Sequence, residues 1–136
     1  MTKLTGGREA STGVAVSETV QLTIPASLEF VRIARLTASG VASRVGFDVE
    51  EIEDLRVAVD ELSSILVDLP GGPSLELSFT SDDDGIVIEG RRSVENGNVP
   101  SVDELTKQIL AAVVDEYGVE NSAGESGFRC VKRLSS

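Results

Sequence analysis

The chain carries one cysteine, Cys130, and no histidine among its 136 residues. Without imidazole there is no Cys/His metal site and no histidine-based triad, which removes several enzyme classes at once. Asp60 and Glu61 lie in a segment of helical apolar spacing, where a carboxylate is by default a solvated surface group. Glu29, Arg32 and Arg35 share another such segment. Arginine at such a place is either solvated or a partner contact, because its planar fork makes paired hydrogen bonds to a carboxylate. Asp82, Asp83 and Asp84 lack the alternating ligands and closing glutamate of a calcium loop, which leaves a hairpin turn. Arg91 and Arg92 either balance acidic surface or are the nearest cations to an anion held beside the hairpin. Cys130 alternates with Phe128 and Lys132 and reads as a small buried hydrophobe.

The elements that position these residues follow from period and punctuation. Residues 1 to 18 form a flexible tail: Gly6, Gly7 and Gly13 stand among small polar residues with little to bury. Thr19 to Ile24 alternates apolar and polar residues up to Pro25, the signature of a strand with one buried face. Ser27 then caps a helix in which Val31, Ala34, Ala38, Val41, Ala42 and Val45 recur up to Gly46, with Arg32, Arg35 and Ser39 on the other side. Asp48 and Glu51 make a capping-box start for a second helix, carried by Ile52, Leu55, Val59, Leu62, Leu66 and Leu69 and stopped at Pro70. Leu75 to Phe79 and Ile86 to Ile88 predict a hairpin, and Arg91 to Val102 a loop. Asp103 to Tyr117 predicts a last helix stopped by Gly118, and Phe128 to Leu134 a closing strand.

This order predicts an α+β domain over residues 19 to 136, a two-layer sandwich with a mixed or antiparallel sheet and helices on one face. Twelve basic against twenty-three acidic side chains give a net charge of −11, which argues against nucleic acid and for either plain solubility or a basic protein partner. No run approaches the ~20 apolar residues of a membrane span, and the first residues lack a signal peptide's apolar core, so the expected location is the cytoplasm.

Three stretches carry a resemblance: Ile24-Pro25-Ala26, then Glu29 to Leu36, then Ile52 to Glu61. Their order and spacing resemble the RsbW/SpoIIAB-type anti-sigma factors, small members of the histidine-kinase/Hsp90-like ATPase superfamily with the Bergerat-like fold. Ile109 to Val119 is similar to that family's last helix, and Arg129 to Leu134 to its closing strand. The resemblance implies that Glu61 stands at the glutamate that orients the attacking hydroxyl or water. Four residues on, the family's magnesium-binding asparagine is replaced by Ile65, which has no oxygen for a hard cation. The adenine-binding aspartate of the Asp-x-Gly-x-Gly turn falls at Gly90, or at Glu89 with a one-residue shift. The glycine-rich lid corresponds to Asp103-Glu104-Leu105-Thr106-Lys107, where side chains and two carboxylates replace glycines.

These departures predict a degenerate nucleotide site with Glu61 as a vestige, no cofactor-binding residue and no metal site; ATP and magnesium are expected only if the degenerate site still functions. The resemblance also implies the partners: an alternative sigma factor, sequestered against helix one through Arg32, Arg35 and Glu29, and an anti-anti-sigma protein of the STAS type that releases it. A homodimer through the edge of the first strand, around Val20, Leu22 and Ile24, is expected too. The alternative is an active ATP-dependent serine kinase that phosphorylates that antagonist.

Overall fold

A computed structural model describes residues 17–95 and 98–135; most of the expected tail lies outside them. Strand β1 (Glu18–Pro25) leads into helix α1 (Leu28–Val45) and helix α2 (Val49–Val67). Strands β2 (Ser74–Ser81) and β3 (Gly85–Ser93) follow as a hairpin, then α3 (Glu104–Val113), β4 (Glu116–Ser122) and β5 (Glu125–Arg133). The five strands form one sheet in the order β1-β2-β3-β5-β4, antiparallel at every pairing.

Period-2 patterning sets which face is covered. Ile24, Leu75, Leu77, Phe79, Ile86, Ile88, Phe128 and Cys130 are buried, while Thr23, Glu76, Glu89 and Arg129 point the other way and are exposed. Onto the apolar face α1 packs Ala34, Ala38, Val41 and Ala42, and α2 packs Leu55, Val59, Leu62 and Leu66. The expected two-layer arrangement, with helices on one face of an antiparallel sheet, is thus the observed one.

Local signals explain most boundaries. Gly46 takes φ 107° and its N–H donates to the Ala42 carbonyl, a left-handed stop that favours glycine. Asp48 and Glu51 form the full capping box: the Glu51 N–H donates to Asp48 Oδ1 at 2.8 Å and the Asp48 N–H to Glu51 Oε1 at 2.9 Å. In the acidic turn Asp82 Oδ1 accepts the N–H groups of Asp84 and Gly85.

Several expectations need correction. Ser27 has the extended backbone of an N-cap but makes no side-chain cap bond. Helix α2 ends at Val67, short of Leu69. Arg91, Arg92 and Ser93 are not loop but the end of β3, paired with Gly127, Ser126 and Glu125. The last helix stops at Val113, and Glu116 to Ser122 is a strand. Tyr117 and Val119 alternate with Glu116, Gly118 and Glu120, and they pair with Cys130 and Phe128; edge pairing prevails over the helical reading, and Gly118 is a strand residue. The closing strand begins at Glu125, three residues earlier than expected, because β4 supplies its partner.

Candidate functional site

Of the residues matched to the nucleotide motifs, Glu61 on α2 meets the start of α3, and Gly90 lies in β3. Glu61, half-buried on α2, accepts a hydrogen bond from the Thr106 hydroxyl at 3.3 Å. Thr106 sits in the first turn of α3, and its N–H donates to Asp103 Oδ1 at 2.8 Å. Two carboxylates of the chain therefore serve the place where a helix N-terminus offers N–H groups to an anion. That bond from the Thr106 N–H holds the Asp103 carboxyl below its ordinary value of 3.8. Ile65 is partly buried against the core.

Gly90 lies on the helix-covered face of β3, directly opposite Phe128 on β5. A Cβ at Gly90 would collide with the Phe128 ring, so the space a side chain needs there is filled by an aromatic. Glu89 points to the helix-free face and is exposed, which removes it as a shifted substitute for the aspartate.

Two residues on, Arg92 is 7% exposed. Its Nε donates to the Gly72 carbonyl at 2.9 Å, and its Nη1 protons are shared among Leu66 (2.8 Å), Val67 (3.0 Å) and Leu69. These are the last carbonyls of α2 and its following turn, where a cation meets the negative end of the helix dipole. The turn is sewn to β3 as well: the Gly72 N–H donates to Ser93 O at 2.9 Å, and the Glu95 N–H to Pro70 O at 3.1 Å. Arg92 is thus committed to its own backbone, while Arg91 faces the opposite side and pairs with Glu76 at 2.9 Å. Neither is placed to serve as a cation for a ligand near Glu61.

These residues depart from the matched motifs in three places. The magnesium position holds Ile65, the adenine position is filled by Phe128, and the α3 N-terminus faces Asp103 and Glu61. A polar concavity of about 520 Å3 lies elsewhere, across the helix-free face beside Gln21, Thr23, Glu76, Glu89 and Arg91. The sheet separates it from Glu61.

The expected partner surface is α1. Arg32 is exposed and makes no ion pair among the described residues. Glu29 is exposed in the first turn. Arg35 departs from the expectation of a free residue: its Nη1 pairs with Asp60 Oδ1 on α2 at 2.6 Å, and it is half-buried. Ser39 is likewise occupied, donating to the Arg35 carbonyl at 3.0 Å. Of the three residues matched to partner contact, the structure brings Glu29 and Arg32 to open surface and ties Arg35 between the helices.

Sequence reasoning missed the clamp made by Arg92 and the latch made by Thr106. Both depend on contacts between residues 20 or more apart in the chain. The one available signal was an arginine at alternate spacing from Ile86 and Ile88, on the buried side of β3. Cys130 is where it was expected, in the core, and burial pushes its thiol up to about 12, which keeps it an unreactive thiol.

The architecture is that of the histidine-kinase/Hsp90-like fold class, one antiparallel sheet with helices on one face. A crystal structure of the RsbU and RsbW domains of a Mycobacterium tuberculosis protein superposes with a TM-score of 0.68 over 88% of this chain and 33% of that one, at 16% identity, which speaks to fold alone. Serine-protein kinase RsbW of Bacillus subtilis is 32% identical over 127 residues, covering 77% of this chain and 79% of the relative. The corresponding protein of Halalkalibacterium halodurans is 41% identical over 73 residues, 52% of this chain and 45% of that relative's length. The chain belongs to the RsbW family. No family model matches it. Among the described residues no helix is long and apolar enough to cross a membrane.

Proposed function

We propose that this chain is an anti-sigma factor acting in the cytoplasm by sequestration: it holds an alternative sigma factor against α1 and yields it to a competing anti-anti-sigma protein of the STAS type. The observation that carries this reading is the contrast in commitment between Arg32, exposed and without an ion pair, and the residues around Glu61, which are satisfied by their own chain. Binding of this kind needs affinity and no chemistry. The reading includes a homodimer through β1, whose outer edge has no strand beside it among the described residues.

The test has two parts. Calorimetry with magnesium-ATP is expected to give no micromolar binding. Each alternative sigma factor of the source cell, purified singly, is then titrated with the wild type and with Arg32→Ala. A buried charge-assisted pair lost at Arg32 costs roughly 2 to 5 kcal/mol of affinity, mostly in the dissociation rate. Folding should change by no more than about 0.5 kcal/mol, because Arg32 lies outside core and caps.

A second reading is supported by the retained Glu61 and by the serine-protein kinase activity named for the relatives: an ATP-dependent kinase that phosphorylates a serine of the antagonist. Micromolar magnesium-ATP binding with phosphotransfer to that serine would put this reading first.

A further inference from the structure

The sheet ends in two open edges, and they differ in chemistry. On the helix-free face β1 carries Thr19, Gln21 and Thr23, all uncharged, whereas β4 carries Glu116 and Glu120. β4 pairs with β5 on one side, and among the described residues no strand lies beyond it on the other. On an edge strand every second residue turns its N–H and C=O away from the sheet, so the outer side of β4 is a row of backbone donors and acceptors open to an extended chain. β4 contains no proline and no lysine, two of the usual guards of such an edge.

Its side chains form two rows. Tyr117 and Val119 turn to the helix-covered face, where they are half-buried against the core and not closed over. On the helix-free face Glu116 pairs with Arg129 and Arg133 of the neighbouring strand. Glu120 makes no ion pair among the described residues, and neither does Glu125 at the start of β5, which is paired with Ser122. Both carboxylates border the polar concavity of the helix-free face.

We propose that the outer edge of β4 pairs with an extended segment of another protein whose residues alternate basic and apolar, with lysines or arginines directed at Glu120 and Glu125 and apolar side chains beside Tyr117 and Val119. The open edge dictates an extended backbone, and the two rows of side chains dictate the alternation. A second copy of the chain fits less well. In the antiparallel registers that overlap most of β4, Glu120 stands directly opposite or diagonal to the Glu116 or Glu120 of that copy, and like charges so placed destabilise the pair. The charge that deters self-pairing therefore selects a basic segment, and it selects β4 over the uncharged edge of β1. This contact is separate from α1 and does not depend on the sequestration reading.

The probe is a blocked heptapeptide alternating lysine and valine, titrated into the full chain labelled with nitrogen-15. Amide shifts should be confined to residues 116–122 and the adjoining β5, with slower hydrogen exchange in β4. Two further peptides carry N-methyl groups on every valine or on every lysine, which removes one row of donors and keeps the charge. One of the two should bind at least tenfold more weakly, because only one row faces β4. Glu120→Lys should weaken the unmodified peptide about tenfold at unchanged melting temperature, since an attraction becomes a repulsion. Asp83→Lys, the same change of charge on an exposed residue of the β2–β3 turn, should leave binding as it was. Absence of shifts in β4, or shifts centred on β1, overturns the proposal. So does equal binding of all three peptides, or equal weakening by Glu120→Lys and Asp83→Lys, since net charge alone would then hold the peptide.

Discussion

Two arginines, one in the helix layer and one in the sheet, are used in opposite ways. Arg32, on the outside of α1, makes no ion pair among the described residues, while Arg92, at the end of β3, is buried and divided among carbonyls of α2 and the turn after it. The difference is one of satisfaction. A buried cation must find acceptors or it destabilises the fold, so Arg92 is a structural commitment. An exposed one is hydrated at little cost and stays free for a partner. The same contrast separates the two helix faces: α2 carries Glu61 into a contact with Thr106, and α1 carries Leu36 into solvent.

The largest expected effect breaks the filled side. Arg92→Ala leaves the ends of α2 and its turn with carbonyls that water reaches poorly, and each such group costs about 1 to 3 kcal/mol. We expect a loss of about 3 kcal/mol in chemical denaturation, which corresponds to a melting temperature lower by roughly 10 °C for a domain of this size. Arg92→Lys should recover only part of this, because one ammonium cannot reach both Gly72 and the three α2-end carbonyls. Arg32→Ala should leave the melting temperature unchanged. Equal stability losses at the two arginines would end the comparison.

A smaller effect sharpens it. Gly90→Asp restores the side chain that the resemblance places at the adenine position, yet its Cβ must displace the Phe128 ring. Overpacking of this sort costs about 1 to 3 kcal/mol. The variant should be less stable than wild type and still give no heat with magnesium-ATP in calorimetry, because Ile65 and the carboxylates at the start of α3 remain. A Gly90→Asp protein of native stability that binds the nucleotide would show that Phe128 is not what closes the site.

The sequence announced the elements whose signals are local. The apolar stripe of α1, the capping box at Asp48 and Glu51, and the alternation of Leu75, Leu77 and Phe79 each state their own periodicity, and each appears as expected. What it could not announce depends on partners distant in the chain. Ile109, Ala112, Val113 and Glu116 carry a helical spacing up to Tyr117, while Tyr117 and Val119 alternate as a strand, and only the edge of β5 decides between them. Arg92 looked like a loop cation because nothing local marks the α2 carbonyls that it meets. Arg35 looked free because Asp60 lies on the next helix. The reading of Glu61, Ile65 and Gly90 as a degenerate set rests on motif order, whereas the Phe128 ring that a side chain at Gly90 would meet is a matter of packing.

The smallest effect concerns the start of α3, where the filled side meets solvent. Asp103 is exposed and caps the helix through the Thr106 N–H, and that bond keeps its carboxyl below 3.8. A carboxyl whose folded value is depressed contributes stability that is fully present above its unfolded value and is lost as pH falls through the folded one. The affected window therefore lies below about pH 4, where protonation removes the charge that the Thr106 N–H prefers. Because the group is exposed, solvent screens the interaction and the change should stay local, fraying the first turn of α3 rather than unfolding the domain. Carbon-detected NMR titration of the Asp103 carboxyl should give a midpoint under 3.8, and the Thr106 amide resonance should move with it. Asp103→Asn keeps an acceptor at the cap without a titrating charge, so the Thr106 resonance should lose that acid transition. A midpoint at or above the ordinary carboxyl value would mean that α3 begins without this cap, and the contact between Thr106 and Glu61 would lose the residue that positions it.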